Sequence, residues 1–570
     1  MPFRSKLSSG KVLSRLIGYL TVIGTLLLLI FFLIWPVATI VAKAFTSKTG
    51  FTLEYFSLLF SNDIQLSAIG NSILISLGTT FFATLWSLPL AIISARFKFR
   101  GKGLLTGLLL VPMVMPPFVG AIGMQRFFAR FGAVNIFLMD KGIISSPIAW
   151  LTDENMIWAV IFLEVLHLYP ILYLNLTSAL SNIDPSLEEM AQTLGVSRLR
   201  QYWDIVWPLA RPGYFAGAII VFIWSLTDLG TPLLVGFHNT MPVHIFNLVT
   251  DINENPVGYA LVFFVIVMTI SFFLVSRFFV SGKKYQMLAR GHVTSSVKQA
   301  SRAAQVFIFP FLVGTILVAL IPHFTVLITS LGEGWFMTAL PEQYTLKYYA
   351  MVFQQEVSEI GIKNSLLFAS LSTLLDLVLG ILIAFVVTRK LIPMSGLLDA
   401  VVMVPLALPG IVLAFGYVVT YTDTFLDPLH NPVPLLVIAY GIRRLPYMVR
   451  SASGGLQQIS SSLEEASECF GASKFHTLRK ITLPLIAANL LAGGLLCFSY
   501  AVLDVSDSLI LAMKDRFYPI TKAIYALYLE QGSGEFVASA LGMISMLILA
   551  GCILAASAIL GKKLGEMFRS

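Results

Sequence analysis

Apolar runs of spanning length recur along the chain near 16–43, 66–95, 104–127, 156–180, 214–236 and 256–280, and again near 303–331, 364–388, 395–420, 433–452, 487–512 and 536–561. At roughly 20 residues per bilayer crossing, this pattern predicts about twelve transmembrane helices. One polar stretch, Ser186 to Pro208, interrupts the pattern and does so twice. In its copy, Ser462 to Pro484, Glu189, Gly195, Ile205 and Pro208 return as Glu465, Gly471, Ile481 and Pro484, at one offset of 276 (Glu189 to Glu465) and without a gap. A polar segment held in register inside two apolar halves reads as a docking element used twice. The plainer alternative is a pair of amphipathic connectors lying on the bilayer surface.

Repetition extends beyond that segment. Phe51-Thr-Leu-Glu-Tyr-Phe56 matches Tyr344-Thr-Leu-Lys-Tyr-Tyr349, Asn71-Ser-Ile-Leu matches Asn364-Ser-Leu-Leu, and Val111-Pro112 with Pro116 and Gly123 matches Val404-Pro405 with Pro409 and Gly416, all at an offset of 293 (Asn71 to Asn364). The offset falls to 276 by Pro170, which pairs with Pro446, so the first half carries 17 extra residues (293 − 276), placed mainly in an outer loop around 128–155. The expected organisation is a first half over 1–280, a cytoplasmic linker over 281–302 and a second half over 303–570. Each half has six helices, and both share one orientation as a parallel repeat. The expected fold class is all-α and polytopic.

Composition supports a membrane chain. Of 570 residues 57% are hydrophobic and 12% charged, with a mean hydropathy of +0.84, against roughly a quarter charged in soluble domains. The net charge of +8 is assigned to topology and not to nucleic acid, because Lys and Arg gather at span ends. The runs Arg96 to Lys102, Arg277 to Arg302, Arg389-Lys390 and Lys562-Lys563 share the cytoplasm with both polar repeats and both termini, while Arg126, Arg130 and Lys141 fall on the other side. The basic stretch Met1 to Arg15 is followed by a run long enough to span and by no small-residue cleavage site, so a retained first helix is expected. Cys469, Cys497 and Cys552 offer neither a disulfide framework nor a CxxC site.

Ser186-x-x-Glu189 and Ser462-x-x-Glu465 read as capping boxes, each opening a short helix that stops at Gly195 or Gly471. A second helical stretch then runs to Pro208 or Pro484. These two loops, 186–213 and 462–489, resemble the EAA motif of the membrane subunits of ABC importers: glutamate, two alanines, three residues, glycine, nine residues, then isoleucine-x-leucine-proline. Met190 and Ser467 stand where the motif has alanine, and Trp207 where it has leucine. The segments Ile442 to Arg450 and Asp228 to Leu234 are similar to those of fused permeases for iron(III), thiamine and 2-aminoethylphosphonate. The resemblance implies a bacterial inner-membrane, multi-pass permease. Its coupling residues would be Glu188, Glu189, Ala191, Gly195, Ile205 and Pro208, with Glu464, Glu465, Ala466, Gly471, Ile481 and Pro484, docking helix-in-groove on two copies of an ABC ATPase. An extracytoplasmic binding protein would deliver the solute, and alternating access would carry it across.

No GxxxxGK[ST] occurs, so this chain is expected to bind no nucleotide or other cofactor and to leave ATP and Mg to its partners. It is expected to be a transport subunit and not an enzyme.

Ionisable residues inside spans are the pathway candidates, since each costs roughly 2.5–3.5 kcal/mol at the bilayer centre. They are Glu164 and His167, one turn apart; Asp228 with Gly230 and Thr231; and Asp504 with Ser506 and Asp507, at matching helix interruptions. Packing is the alternative: Glu164 and His167 neutralising each other, Asp376 paired with a neighbouring helix, Arg443 and Arg444 anchoring a helix end. Iron(III) is the leading substrate, with 2-aminoethylphosphonate, thiamine or another phosphorylated small molecule as alternatives. An ion-coupled secondary transporter is the competing class.

Overall fold

The computed structural model describes residues 16, 18–114, 117–152, 154–249, 256–280, 298–333, 335 and 337–560. Residues 281–297 of the expected linker, the basic N-terminal stretch to Arg15, Pro116 and Lys562-Lys563 lie outside the described residues. What is described is overwhelmingly helical, and the halves share one element order. The first contains α1 (Gly18–Ala44), α2 (Asp63–Arg96), α3 (Pro117–Phe128), α4 (Met156–Ser181), α5 (Pro185–Thr193), α6 (Arg198–Leu226), α7 (Gly230–Val235) and α8 (Val257–Val280). The second repeats them as α9 (Arg302–Leu331), α10 (Glu356–Thr388), α11 (Gly410–Tyr421), α12 (Val433–Gln457), α13 (Ser461–Cys469), α14 (Lys474–Val502), α15 (Ser506–Leu511) and α16 (Gly534–Leu560).

Among the described residues nine helices are long and apolar enough to cross a membrane, or eleven if each of two bent pairs is one span. The bent pairs are the stretches expected near 104–127 and 395–420. The second turns through 94° between Ala407 and Gly410, where Pro409 follows an extended Leu408. The helix α12 occupies the place that α4 holds in the first half. Its arginines, Arg443, Arg444 and Arg450, set it apart from an apolar span.

Three π turns, Ile30–Ile34, Tyr202–Val206 and Leu478–Thr482, each lie just ahead of a proline, Pro36, Pro208 or Pro484. A proline inside an α-helix has no N–H and collides with the carbonyl four residues back; widening the preceding turn relieves that collision. The helix therefore does not end at Pro208 or Pro484 as the sequence pattern implied, but runs on into the membrane-length segment.

The first helix of each half packs on the other half. Next to Pro36, whose missing N–H leaves carbonyls free, the Phe32 and Phe31 oxygens accept hydrogen bonds from the hydroxyls of Tyr417 (2.7 Å) and Tyr421 (2.5 Å) on α11. A Cβ on Gly416 would lie 3.0 Å from Pro36, and one on Gly123 would lie 3.0 Å from Thr325 and Val326 on α9. The repeated Gly123 and Gly416 are thus the two seats of exchanged helices.

Among the described residues strands are limited to two-residue pairs. Ser47 and Thr46 pair with Gly50 and Phe51, Gly332 and Glu333 with Tyr344 and Gln343, and Phe97–Lys98 lies parallel to Lys298–Gln299, which fixes the end of the linker against the first half. The insertion around 128–155 contains the helix Ala133–Asp140. It is organised by fully buried Asn135, whose amide bonds the carbonyls of Arg130 and Ile148 and whose oxygen accepts from Ile148 N–H and the Trp150 indole. Arg126, an exception to the charge rule, is paired with Glu535 at 3.4 Å and lies over the Trp335 and Phe536 rings.

Candidate functional site: two coupling loops and a central cavity

Both polar repeats fold as helix, glycine turn, helix, but the capping boxes do not form. The caps fall two residues earlier. Asp184 Oδ1 accepts from Ser186 N–H at 2.9 Å and Ser460 Oγ from Ser462 N–H at 3.3 Å, so α5 begins at Pro185 and α13 at Ser461. Proline at the first helical position has its φ already set and loses no bond there. Glu189 and Glu465 then fall too far along the helix to reach back to the start. The hydrogen bonds from Ser186 hold the Asp184 carboxyl below the usual carboxylate range.

At the other end Gly195 and Gly471 adopt φ of +76° and +86°. Val196 N–H bonds Ala191 C=O and Gly195 N–H bonds Gln192 C=O, a pattern repeated by Ala472 with Ser467 and Gly471 with Glu468. These are Schellman closures, which need a left-handed residue at the turn. A Cβ on either glycine would meet nothing within 4 Å, so the requirement is one of backbone conformation and not of space.

Each turn leaves large apolar side chains in the open at equivalent places. Leu194 is 82% exposed and Phe470 93%, while Leu199 and Phe475 are both 71% exposed. Glu189 and Glu465 are exposed beside them, as are Ala466 and Pro484, whereas Ala191 is buried and Ile205, Ile481 and Pro208 are half-buried. Ser467, standing where the first loop has Ala191, bonds Thr477 at 2.8 Å. Glu188 and Glu464 do not join the exposed face. Glu188 is ion-paired with Arg96, and Glu464 takes a fork from Arg389, Nε to Oε2 at 3.0 Å and Nη2 to Oε1 at 2.9 Å.

Further along the helices, a cavity of about 260 Å³ lies between the halves. Glu164, His167 and Asp228 of the first half line it together with Arg443, Arg444, Asp504, Ser506, Pro405, Tyr447 and Tyr500 of the second. Glu164 is 1% exposed and accepts from Thr79 Oγ1 at 3.0 Å and from Ser225 Oγ; His167 Nδ1 lies 3.1 Å from Pro112 O. Glu164 and His167 thus each have a partner beyond the other.

Asp228 and Asp504 share a structural task. Asp228 accepts from the N–H groups of Gly230 (3.1 Å) and Thr231 (3.3 Å), and Asp504 Oδ1 from that of Asp507 (2.9 Å), capping α7 and α15 after the helix break. Asp504 does more. Its Oδ2 receives Arg443 at 2.7 Å and Arg444 at 2.5 Å, and Arg443 also reaches Asp507 at 2.7 Å. Arg443 and Arg444 are thus members of a buried ion cluster and not helix-end anchors. Gly230, Thr231 and Asp507 are buried and do not line the cavity; Gly230 sits where a Cβ would come 2.8 Å from Phe118 and 3.1 Å from Val505. Asp376 is buried near Gly441 of α12, away from the cavity. Among the described residues no group of three or more His, Cys, Asp or Glu is placed to hold a metal ion.

Sequence reasoning missed the roles of Arg443, Arg444, Thr79, Ser225, Arg96 and Arg389. A signal was present for the first pair, since Arg443 occupies the repeat position of His167 on the face already singled out.

Comparison with known proteins places this architecture. The family described as the binding-protein-dependent transport system inner membrane component matches residues 87–285 and again 376–564. The ferric transport system permease protein FbpB of Actinobacillus pleuropneumoniae is 26% identical over 541 residues, 93% of this chain and 77% of that one. The molybdenum transport system permease protein ModB of Haemophilus influenzae is 28% identical over 239 residues, 40% of this chain and 99% of its own length. A bacterial ABC transporter that imports alginate aligns with 49% of this chain and 99% of its own at 18% identity and a TM-score of 0.39. With the family's domain present twice in tandem, the chain belongs to the inner-membrane permeases of binding-protein-dependent ABC importers, a transport subunit in fused two-half form.

Proposed function

We propose that this chain is the translocation subunit of an ATP-driven importer for iron(III), with an extracytoplasmic binding protein delivering the ion and two ABC ATPase copies bound to the loops 186–213 and 462–489. The observation that carries the coupling role is the matched pair of exposed apolar side chains around each glycine turn, Leu194 and Leu199 against Phe470 and Phe475. Exposed large side chains clustered on rigid turns mark an interface. On this reading Glu189, Glu465 and Ala466 sit at the contact, both termini are cytoplasmic, and ATP with Mg is bound by the partners, this chain holding no cofactor. Closure of the ATPases draws the two loops together and rocks the halves about the cavity.

Iron(III) rests on the ferric permease relative that spans most of the chain and on the carboxylates Glu164 and Asp228 at the cavity. A second reading follows from Arg443 and Arg444, which line the same cavity and favour a solute that carries a phosphonate or phosphate, such as 2-aminoethylphosphonate. The test is reconstitution in proteoliposomes with the ATPase chains and the binding protein. ATP-dependent uptake of iron(III) supports the first reading, uptake of the phosphonate without iron replaces it with the second, and ATP-independent uptake rejects the importer role.

A further inference from the structure

The ion pairs Arg96–Glu188 and Arg389–Glu464 occupy equivalent places, yet their members belong to segments with different offsets, 293 for the arginines and 276 for the glutamates. Insertion between the two segments has changed their spacing along the chain while the contact has been kept in both halves. Each arginine stands at the end of the longest helix described in its half, α2 with 34 residues and α10 with 33, each about 50 Å long at 1.5 Å per residue. Along α2, Asn71 bonds the Asn239 carbonyl at 3.0 Å, Thr79 bonds cavity-lining Glu164 at 3.0 Å, and Arg96 grips the coupling helix. Along α10, which packs lengthwise on cavity-lining α12, Asn364 bonds the carbonyls of Arg516 and Tyr518, and Arg389 grips the other coupling helix.

We propose that Arg96 and Arg389 are positioning residues that lock each coupling helix to a transmembrane rod, so that α2 and α10 deliver its displacement to the cavity wall and to the segment beyond it. Glu188 and Glu464 then transmit force within this chain, while Glu189 and Glu465 face the ATPase. The inference rests on the importer reading.

The test uses the whole complex with its ATPase chains, reconstituted with the binding protein, and measures iron(III) taken up per ATP hydrolysed. Arg389→Glu and Glu464→Arg should each retain the ATPase chains on purification and lower uptake per ATP about tenfold, within the usual range of coupling between sites. The double exchange R389E/E464R should restore most of it, which a loss of packing would not. The milder Arg389→Gln and Glu464→Gln keep a hydrogen bond and should give smaller losses in chains that fold normally. Wild-type uptake per ATP in the single variants, or no recovery in a monodisperse double exchange, overturns the proposal alone. A wild-type chain that binds no ATPase overturns it together with the importer reading.

Discussion

The two halves share a frame and differ in what they turn towards the cavity. Asp228 and Asp504 cap the same short helix, and Gly195 and Gly471 close the same turn. Around the first cap, however, Glu164 is held by the hydroxyls of Thr79 and Ser225, and His167 by a backbone oxygen; around the second, Tyr440 replaces the glutamate, Arg443 the histidine and Asp507 the threonine. One wall carries two carboxylates, Glu164 and Asp228, with no arginine beside them, and the other carries two arginines and Asp504, backed by buried Asp507. Duplication preserved the parts that shape backbone and released the side chains at the cavity to diverge.

The sharpest break in this comparison lies at the caps. Asp504→Asn strips a charge from a buried cluster and should destabilise by about 3–5 kcal/mol, the usual cost of orphaning a buried ion partner. Asp228→Asn keeps a good cap and should cost a few tenths of a kcal/mol, roughly the difference between capping residues. Thermal unfolding of the two purified variants decides, and equal losses would erase the distinction between the walls.

Next come the turns, where the halves should behave alike. Alanine at Gly195 or Gly471 must hold a left-handed backbone at about 1–2 kcal/mol. Each variant should weaken ATP-driven uptake, and valine at both should abolish it while leaving the chain inserted. Unequal single effects would show that one loop bears more of the coupling.

The docking surfaces should differ modestly. Phe470 offers more apolar area than Leu194, and burying such a side chain contributes about 1.5–3 kcal/mol. Phe470→Ala should therefore weaken ATPase binding more than Leu194→Ala, by about tenfold against a few-fold, measured as Kd on immobilised permease.

The smallest effect is a pH difference between the helix caps. The Asp184 carboxyl is held below its usual range, so its contribution is present at neutral pH and lost as pH falls through that lowered value. Ser460 has no charge to lose. Hydrogen exchange in the first turn of α5 should accelerate in acid relative to α13, and parallel behaviour would contradict the assigned cap.

Much of this was legible in the sequence because duplication repeats the rigid positions. The glycine turns, the two polar helix-turn-helix loops, the halves and most spans could be read from periodicity and offset. The caps were misplaced because Asp184-Pro185 and Ser460-Ser461 compete with the capping boxes, and a local motif does not say which start the helix adopts. Arg443 and Arg444 were misjudged because an arginine near a helix end and one facing a buried aspartate look the same until Asp504 is brought across from α15. The cavity hydroxyls, Thr79 and Ser225, carry no sequence mark at all; only the packing of α2 and α6 on α4 places them on Glu164.

The exchanged first helices bear on how such a protein is assembled. Because α1 is seated at Gly416 and α9 at Gly123, each half is completed by a piece of the other, and neither surface is finished in isolation. Severing the backbone between 281 and 297 would leave that mutual grip intact, so the covalent join acts chiefly through stoichiometry and encounter: it supplies one partner for every partner, at high effective concentration, while the architecture would equally serve two separate chains.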